Sequence, residues 1–231
     1  MRILISVATA IVILAVALLS LLTPIWTHFA LEVSYDAGQP TCSSRTEPVA
    51  SCFGLSGPDV IAASDQTIHA LIFTGDFSFA GPIATNGEPF YTEAEQSHMR
   101  DVRVVLYGFL LLATAGAVFV VASLVRHPRD ASRWRAVSRG GIWLIGAMVV
   151  LGVFAFVAFD AVFTLFHEIF FPGGNWAFPA DSHLILTYNE TFWELCSAAL
   201  FGLSVLGALI VWYLARRRAA TLEAAAARTA T

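Results

Sequence analysis

Two histidines stand where this chain can use them for chemistry. His98 has Glu95 three residues before it and Asp101 three residues after it. Residues three apart on a helix are neighbours, so either carboxylate can hold one ring nitrogen and raise the basicity of the other. His167 closes a long apolar run, with Asp160 seven residues earlier and Thr164 between them, at intervals that put all three on one helix face. An imidazole oriented by a carboxylate suits general acid–base catalysis near neutral pH. The plainer alternative is an interfacial histidine that only hydrogen-bonds water or lipid headgroups. Asp160 is the sharper anomaly, because a carboxylate inside an apolar run is costly unless paired, protonated or facing a wet cavity. It marks either a functional position or a hydrogen bond to a neighbouring helix. His28, His69, His127 and His183 stand alone and read as solvated. A metal reading from His98, Asp101, His167 and Glu168 lacks a ligand-spacing signature, so neither a metal nor a cofactor is expected. No nucleophile elbow, Walker loop, HExxH or paired CxxC occurs, which removes most hydrolase and nucleotide-binding classes.

The elements that must position these residues follow from composition. Of 231 residues, 57% are hydrophobic and 13% charged, with a mean hydropathy of +0.71, too apolar for a soluble domain of this size. Four stretches are long enough to cross a hydrocarbon core, which takes about 20 apolar residues: about 3–25, 104–125, 140–166 and 195–215. The expected fold is all-α, a single membrane domain over 1–231 built as a four-helix bundle, with an extracytoplasmic cap formed by the first outer loop. The apolar region of the first span is about twice the 7–15 residues of a signal peptide and lacks an A-x-A site, so it is expected to stay as an anchor. All thirteen basic residues are arginine. Arg2, Arg126, Arg129, Arg133, Arg135, Arg139, Arg216, Arg217, Arg218 and Arg228 fall on one side of these spans, and only Arg45, Arg100 and Arg103 on the other. The positive-inside rule then makes both termini cytoplasmic and the loops 26–103 and 167–194 external. The net charge of −4 averages two unlike surfaces, and the arginines read as topology anchors, with no nucleic-acid partner.

Cys42 and Cys52 flank the nine residues Ser43 to Ser51 in the first outer loop, which makes them a candidate disulfide; Cys196 falls in the fourth span. Ser56-Gly57-Pro58-Asp59 opens an amphipathic helix carrying Val60, Ile61, Ile68, Leu71 and Ile72. Thr92 with Glu95 three residues on is a capping box, so the second membrane helix begins before its apolar run. His98 lies six positions ahead of Val104, about 9 Å along a helix, and His167 directly follows Phe166. On antiparallel neighbouring helices both rings reach the same outer level and can converge.

The segment Phe166-His167-Glu168-Ile169-Phe170-Phe171-Pro172-Gly173-Gly174-Asn175-Trp176-Ala177-Phe178, then Asp181, Leu184, Ile185 and Glu190-Thr191-Phe192-Trp193, resembles a signature of the bacterial four-span family that includes lipoprotein intramolecular transacylase. His98-Met99-Arg100-Asp101-Val102 resembles that family's other motif. The resemblance covers about residues 90–110 and 155–195. Asn189 stands where the family pattern leads one to expect proline, and the Cys42–Cys52 pair is not a family feature.

The resemblance implies an acyltransferase of the bacterial cell membrane acting at the outer face on diacylglyceryl-modified lipoproteins, with membrane lipid around it. It would move the sn-2 acyl chain to the α-amino group of the N-terminal cysteine, leaving a lyso form. The family histidines fall on His98 and His167, either of which can be the base. Asn175, Trp176 or backbone N–H groups of Gly173-Gly174 are candidate oxyanion donors, and Asp160, Glu95 or Asp101 candidate orienting groups. Two other classes compete with this one: a non-catalytic scaffold or lipid-binding protein, and a metal-dependent membrane hydrolase.

Overall fold

The computed structural model describes residues 1–36, 57–73, 75–79, 89–180 and 182–229; Cys42, Cys52 and Asp181 lie outside the described residues. The fold is all-α: α1 Arg2–Leu21, α2 Pro24–Asp36, α3 Gly57–Ile72, α4 Glu93–Arg126, α5 Ala131–Val157, α6 Phe159–Phe170, α7 His183–Thr187 and α8 Glu190–Thr229. Helices α1, α4, α5 and α8 are long and apolar enough to cross a membrane. Two compact units result: residues 1–19, 107–158 and 198–231 form the first, and 20–106 with 159–197 the second.

The first unit is built from close helix crossings. Ser6 Oγ on α1 donates to the Ala136 carbonyl on α5 at 2.7 Å. A side chain at Gly140 would run into the Ser6 carbonyl, and a Cβ at Gly141 would sit 2.7 Å from the Ala208 carbonyl of α8. Small residues at such crossings let backbones approach where hydrocarbon supplies no hydrophobic drive. Ile5, Ala136, Val137 and Ala215 form one buried cluster; Ile13, Leu144, Met148 and Ala208 form another. Outward-facing positions are apolar, with Leu111 72% and Phe156 92% exposed, as a lipid-facing surface requires. Asp130 caps α5 by accepting from Ser132 N at 2.9 Å. Helix α8 continues to Thr229, beyond the apolar run expected to end near residue 215, with Arg135 Nη2 against Glu223 Oε1 at 2.5 Å.

In the second unit α2 packs on α3, with His28 Nε2 2.8 Å from Asp65 Oδ1. Both span ends nearest this unit differ from the sequence expectation. The first apolar helix stops at Leu21, and α2 starts afresh at Pro24 after Thr23, whose hydroxyl accepts from Trp26 N at 3.4 Å. The third apolar run does not form one helix as far as Phe166. Ala158, at φ −149 and ψ 60, closes α5, and Phe159 opens α6. Asp160 thus lies exposed in the first turn of a separate helix, where the positive end of the macrodipole favours a carboxylate.

The core of this unit gathers Leu31, Val60, Ala63, Phe77, Phe90, Tyr91 and Phe192. The buried hydroxyls of Thr67, Tyr91 and Tyr188 are paired, as polar groups away from water usually are. Thr67 Oγ1 donates to the Ala63 carbonyl at 2.8 Å and lies 2.9 Å from Tyr91 OH, and Tyr188 OH donates to Ser64 Oγ at 3.1 Å. Arg103 on α4 donates to the carbonyls of Ala70 and Gly75 at 3.1 and 2.6 Å and lies over the Phe77 ring, closing the C-terminal end of α3.

Candidate active site

The first turn of α4 fixes one wall of the site. Thr92 and Glu95 form a reciprocal capping box, with Thr92 N donating to Glu95 Oε2 at 2.7 Å and Glu95 N donating to Thr92 Oγ1 at 3.4 Å. The other oxygen, Glu95 Oε1, accepts from Leu184 N at 2.8 Å, so this buried side chain pins α7 to α4 and does not contact His98. One helical turn inward, His98 points into the unit and is 6% exposed.

The second wall comes from α6 and the turn after it. His167 is 9% exposed, and its Nδ1 lies 2.8 Å from the Phe163 carbonyl one turn back. Past the helix end, Phe171 N donates to the His167 carbonyl at 2.7 Å, Gly174 N donates to the Phe171 carbonyl at 3.1 Å, and Gly174 adopts φ +72, a conformation that glycine reaches without a Cβ penalty. This reversal brings Asn175 to α4, where its Nδ2 donates to Asp101 Oδ2 at 2.6 Å, and lays Trp176 beside His167 with ring centroids 5.0 Å apart.

Within that frame the imidazoles of His98 and His167 lie 5.9 Å apart and 29° from parallel. Phe171 and Phe178 present themselves edge-on to His98 at 4.9 and 5.6 Å, and Phe163 covers His167 at 4.1 Å. The apolar enclosure sets the electrostatics. Burial lowers His98, which sits ahead of the apolar run of α4, to a pKa of about 4; the nearby His167 charge adds to this and Asp101 opposes it. Burial also lowers His167, against the upward pull of the Phe163 carbonyl. Both rings are therefore neutral at physiological pH.

A carbonyl oxygen only accepts, so His167 Nδ1 carries a proton, and in the neutral ring Nε2 holds the free lone pair. His98 Nδ1 is buried and meets no hydrogen-bond partner among the described residues. One nitrogen is thus ready to take a proton, beside a second ring whose buried nitrogen no described residue engages.

Of the residues singled out from sequence, His98, His167, Asp101, Asn175 and Trp176 come together in this cluster. Glu95 supports it from behind through Leu184. Asp160 stands apart: it is seven residues, about 10 Å of helix rise, from His167, and its side chain is exposed. Aromatic walls from Phe163, Phe171 and Phe178 are the part that sequence reasoning missed. Phe163 and Phe171 fall four residues before and after His167, a spacing that places them on its face. His183, read as solvated, is half-buried at the start of α7, with Nδ1 against the Phe90 carbonyl and its ring on Phe90. Asn189, at the position where proline was expected, caps α8 by accepting from Phe192 N at 3.0 Å, which replaces a fixed φ with a capping hydrogen bond. Among the described residues no three His, Cys, Asp or Glu side chains are grouped to hold a metal ion.

A polytopic all-α membrane protein with an enclosed, neutral imidazole pair is the class these features define. Within it, the sequence profile of lipoprotein intramolecular transacylase Lit matches residues 3–193, and the chain belongs to that family. The solved structure of the membrane-integral lipoprotein intramolecular transacylase Lit from Bacillus cereus superposes with a TM-score of 0.69 at 17% identity, covering 95% of this chain and 94% of that one. A histidine-to-arginine variant of the same protein gives 0.61 at 17% identity, over 97% and 92%. At this identity the likeness speaks for the fold. An uncharacterized protein of Aquifex aeolicus is 27% identical over 109 residues, 47% of this chain and 48% of that protein, so the match spans about half the length of this curated relative.

Proposed function

We propose that this protein moves an acyl chain within a diacylglyceryl lipoprotein, from the sn-2 glyceryl oxygen to the α-amino group of the N-terminal cysteine, at the outer face of a bacterial cell membrane. The observation that carries the reading is the neutral pair His98 and His167, with His167 Nδ1 committed to the Phe163 carbonyl. Family membership supplies the substrate class, lipoproteins.

Ester and amine belong to one molecule, so the protein needs no covalent nucleophile; it must bring the two groups close and manage protons. His167 Nε2 takes a proton from the α-ammonium, and the freed amine attacks the sn-2 carbonyl carbon. As the tetrahedral intermediate collapses, the carbon–oxygen bond to glycerol breaks and the imidazolium returns its proton to the departing oxygen. The remaining amine proton is lost to solvent. The products are an amide and a free glyceryl hydroxyl, with every heavy atom retained.

His98 is assigned to the oxyanion, because a neutral imidazole donating from its unengaged Nδ1 can bind developing charge in a water-poor site. Two of the other candidate donors are partly committed: Gly174 N–H to the Phe171 carbonyl, and one Asn175 N–H to Asp101. Asp101 and Asn175 act as positioning residues for the turn that carries Trp176.

Mass spectrometry of a lipoprotein N-terminus, from a host that depends on this protein for N-acylation, tests the reading. Transfer leaves the mass unchanged and alters the fragments. His167→Ala is expected to slow formation of the lyso form by about 10²–10⁴-fold, the usual worth of a general base, and His98→Ala by a comparable factor. Persistence of the N-acylated lyso form in both variants at the unsubstituted rate would overturn the assignment.

A further inference from the structure

The first unit contains a feature that acyl transfer does not use. A cleft of about 470 Å³ opens between α1 and α5, lined by Met1, Arg2, Ile3, Ser6, Arg139 and Trp143. It lies beside the tightest crossing of these helices, where Ser6 Oγ bonds the Ala136 carbonyl and Gly140 admits no side chain. Two guanidinium groups therefore border a cleft set between membrane-spanning helices.

Four other arginines of the same unit are engaged by neighbouring side chains. Arg133 pairs with Asp130 at 3.1 Å, Arg135 with Glu223 at 2.5 Å, and Arg216 and Arg217 lie over Trp212 and Tyr213. Arg2 and Arg139 form no side-chain hydrogen bond or ion pair with any described residue, so none of these residues compensates their charge. Beside them Ile3, Leu4, Val7 and Ile142 are exposed, as is Trp143. An exposed apolar strip leading from a basic cleft, with an indole at the junction, matches a phospholipid in both halves: aliphatic chains along the strip and an anionic head at the arginines.

We propose that the cleft formed by Arg2, Ser6, Arg139 and Trp143 binds the phosphate of an anionic phospholipid headgroup, with the acyl chains lying along Ile3, Leu4 and Val7 of α1. Guanidinium groups bind phosphate oxygens in paired, planar contacts. A headgroup held by Arg2 and Arg139 links α1 to α5 where they already cross, so occupancy stabilises the first unit.

Thermal unfolding of the full chain in a neutral detergent, with increasing phosphatidylglycerol, is the test. Phosphatidylglycerol is expected to raise the unfolding midpoint saturably, whereas phosphatidylcholine and inorganic phosphate at matched ionic strength leave it in place. Arg2→Gln and Arg139→Gln should each raise the half-saturating lipid concentration about fivefold. Arg126→Gln, which removes an exposed charge away from the cleft, should leave it unchanged. The proposal is overturned if the Arg2→Gln/Arg139→Gln double variant responds like the parent, if phosphatidylcholine stabilises equally, or if Arg126→Gln weakens the response as much as Arg139→Gln. Full protection by inorganic phosphate alone also overturns it, because the cleft is then a site for free oxyanions.

Discussion

The two imidazoles of the site are held in different ways, and the difference has a pH signature. His167 has one nitrogen tied to a backbone carbonyl, whereas His98 Nδ1 is enclosed by aromatic rings. Burial lowers both pKa values below the ordinary 6.5, His98 to about 4. A base works in its neutral form, so activity is expected to hold level as pH falls through 6.5 and to decline only below it. Stability follows a different course across the same range. Above 6.5 both folded and unfolded chains are neutral at these positions. Between 6.5 and about 4 the unfolded histidines take up protons that folded His98 does not, so folding stability falls as pH is lowered through that window. Initial rates and unfolding midpoints measured across pH 4–8 check both statements, and a rate midpoint at or above 6.5 would contradict the enclosed pair. Sequence alone made the convergence of His98 and His167 legible, because each lies beside the end of an apolar run. Which nitrogen of His167 is free was not legible: it depends on a rotamer that turns Nδ1 onto the Phe163 carbonyl. Glu95 shows the reverse, since its capping box is readable from Thr92 alone while its bond to Leu184 N spans 89 positions.

At the level of helices, three glycines of one span separate into two kinds. Gly140 and Gly141 face neighbouring backbone, the carbonyls of Ser6 and Ala208, whereas Gly146 has nothing within 4 Å of an added Cβ. Alanine in a helix interior gains about 0.5–1 kcal/mol over glycine, and overpacking a close contact costs about 1–3 kcal/mol. The substitutions should therefore differ in sign: Gly146→Ala neutral or stabilising, Gly140→Ala and Gly141→Ala destabilising by about 1–2 kcal/mol. Unfolding in mixed micelles measures this, and equal behaviour at the three positions would refute the close crossings. The four long helices were legible because apolar length alone marks a span. Their ends were less so, since hydropathy runs on through both breaks. Thr23-Pro24 does carry a start signal, a capping hydroxyl followed by proline at the first helical position. At Ala158 neither Pro nor Gly interrupts the run, and the one hint is Asp160, an acid suited to a helix's first turn.

For the molecule as a whole, orientation is an electrostatic question. Chain order through four spans puts ten arginines, including Arg126, Arg129, Arg133, Arg135 and Arg139 around the connection from α4 to α5, on one expected side of the membrane and His98, His167 and Gly173-Gly174 on the other. Arginine near a span end resists translocation, so the arginine-rich end is expected on the cytoplasmic side and the imidazole pair on the outer side. A lipid ester of an exported lipoprotein is presented on that side, which makes sidedness a condition of the proposed chemistry. Single cysteines can report it. Gly173→Cys is sterically free, since nothing approaches its Cβ position, and Arg129→Cys replaces an exposed residue. In a background with Cys42, Cys52 and Cys196 changed to alanine, a membrane-impermeant maleimide added to intact cells should label the cysteine at 173. It should reach the one at 129 only after permeabilisation. The opposite pattern would put the histidines on the cytoplasmic face, where the arginine distribution forbids them and the proposed substrate does not arrive.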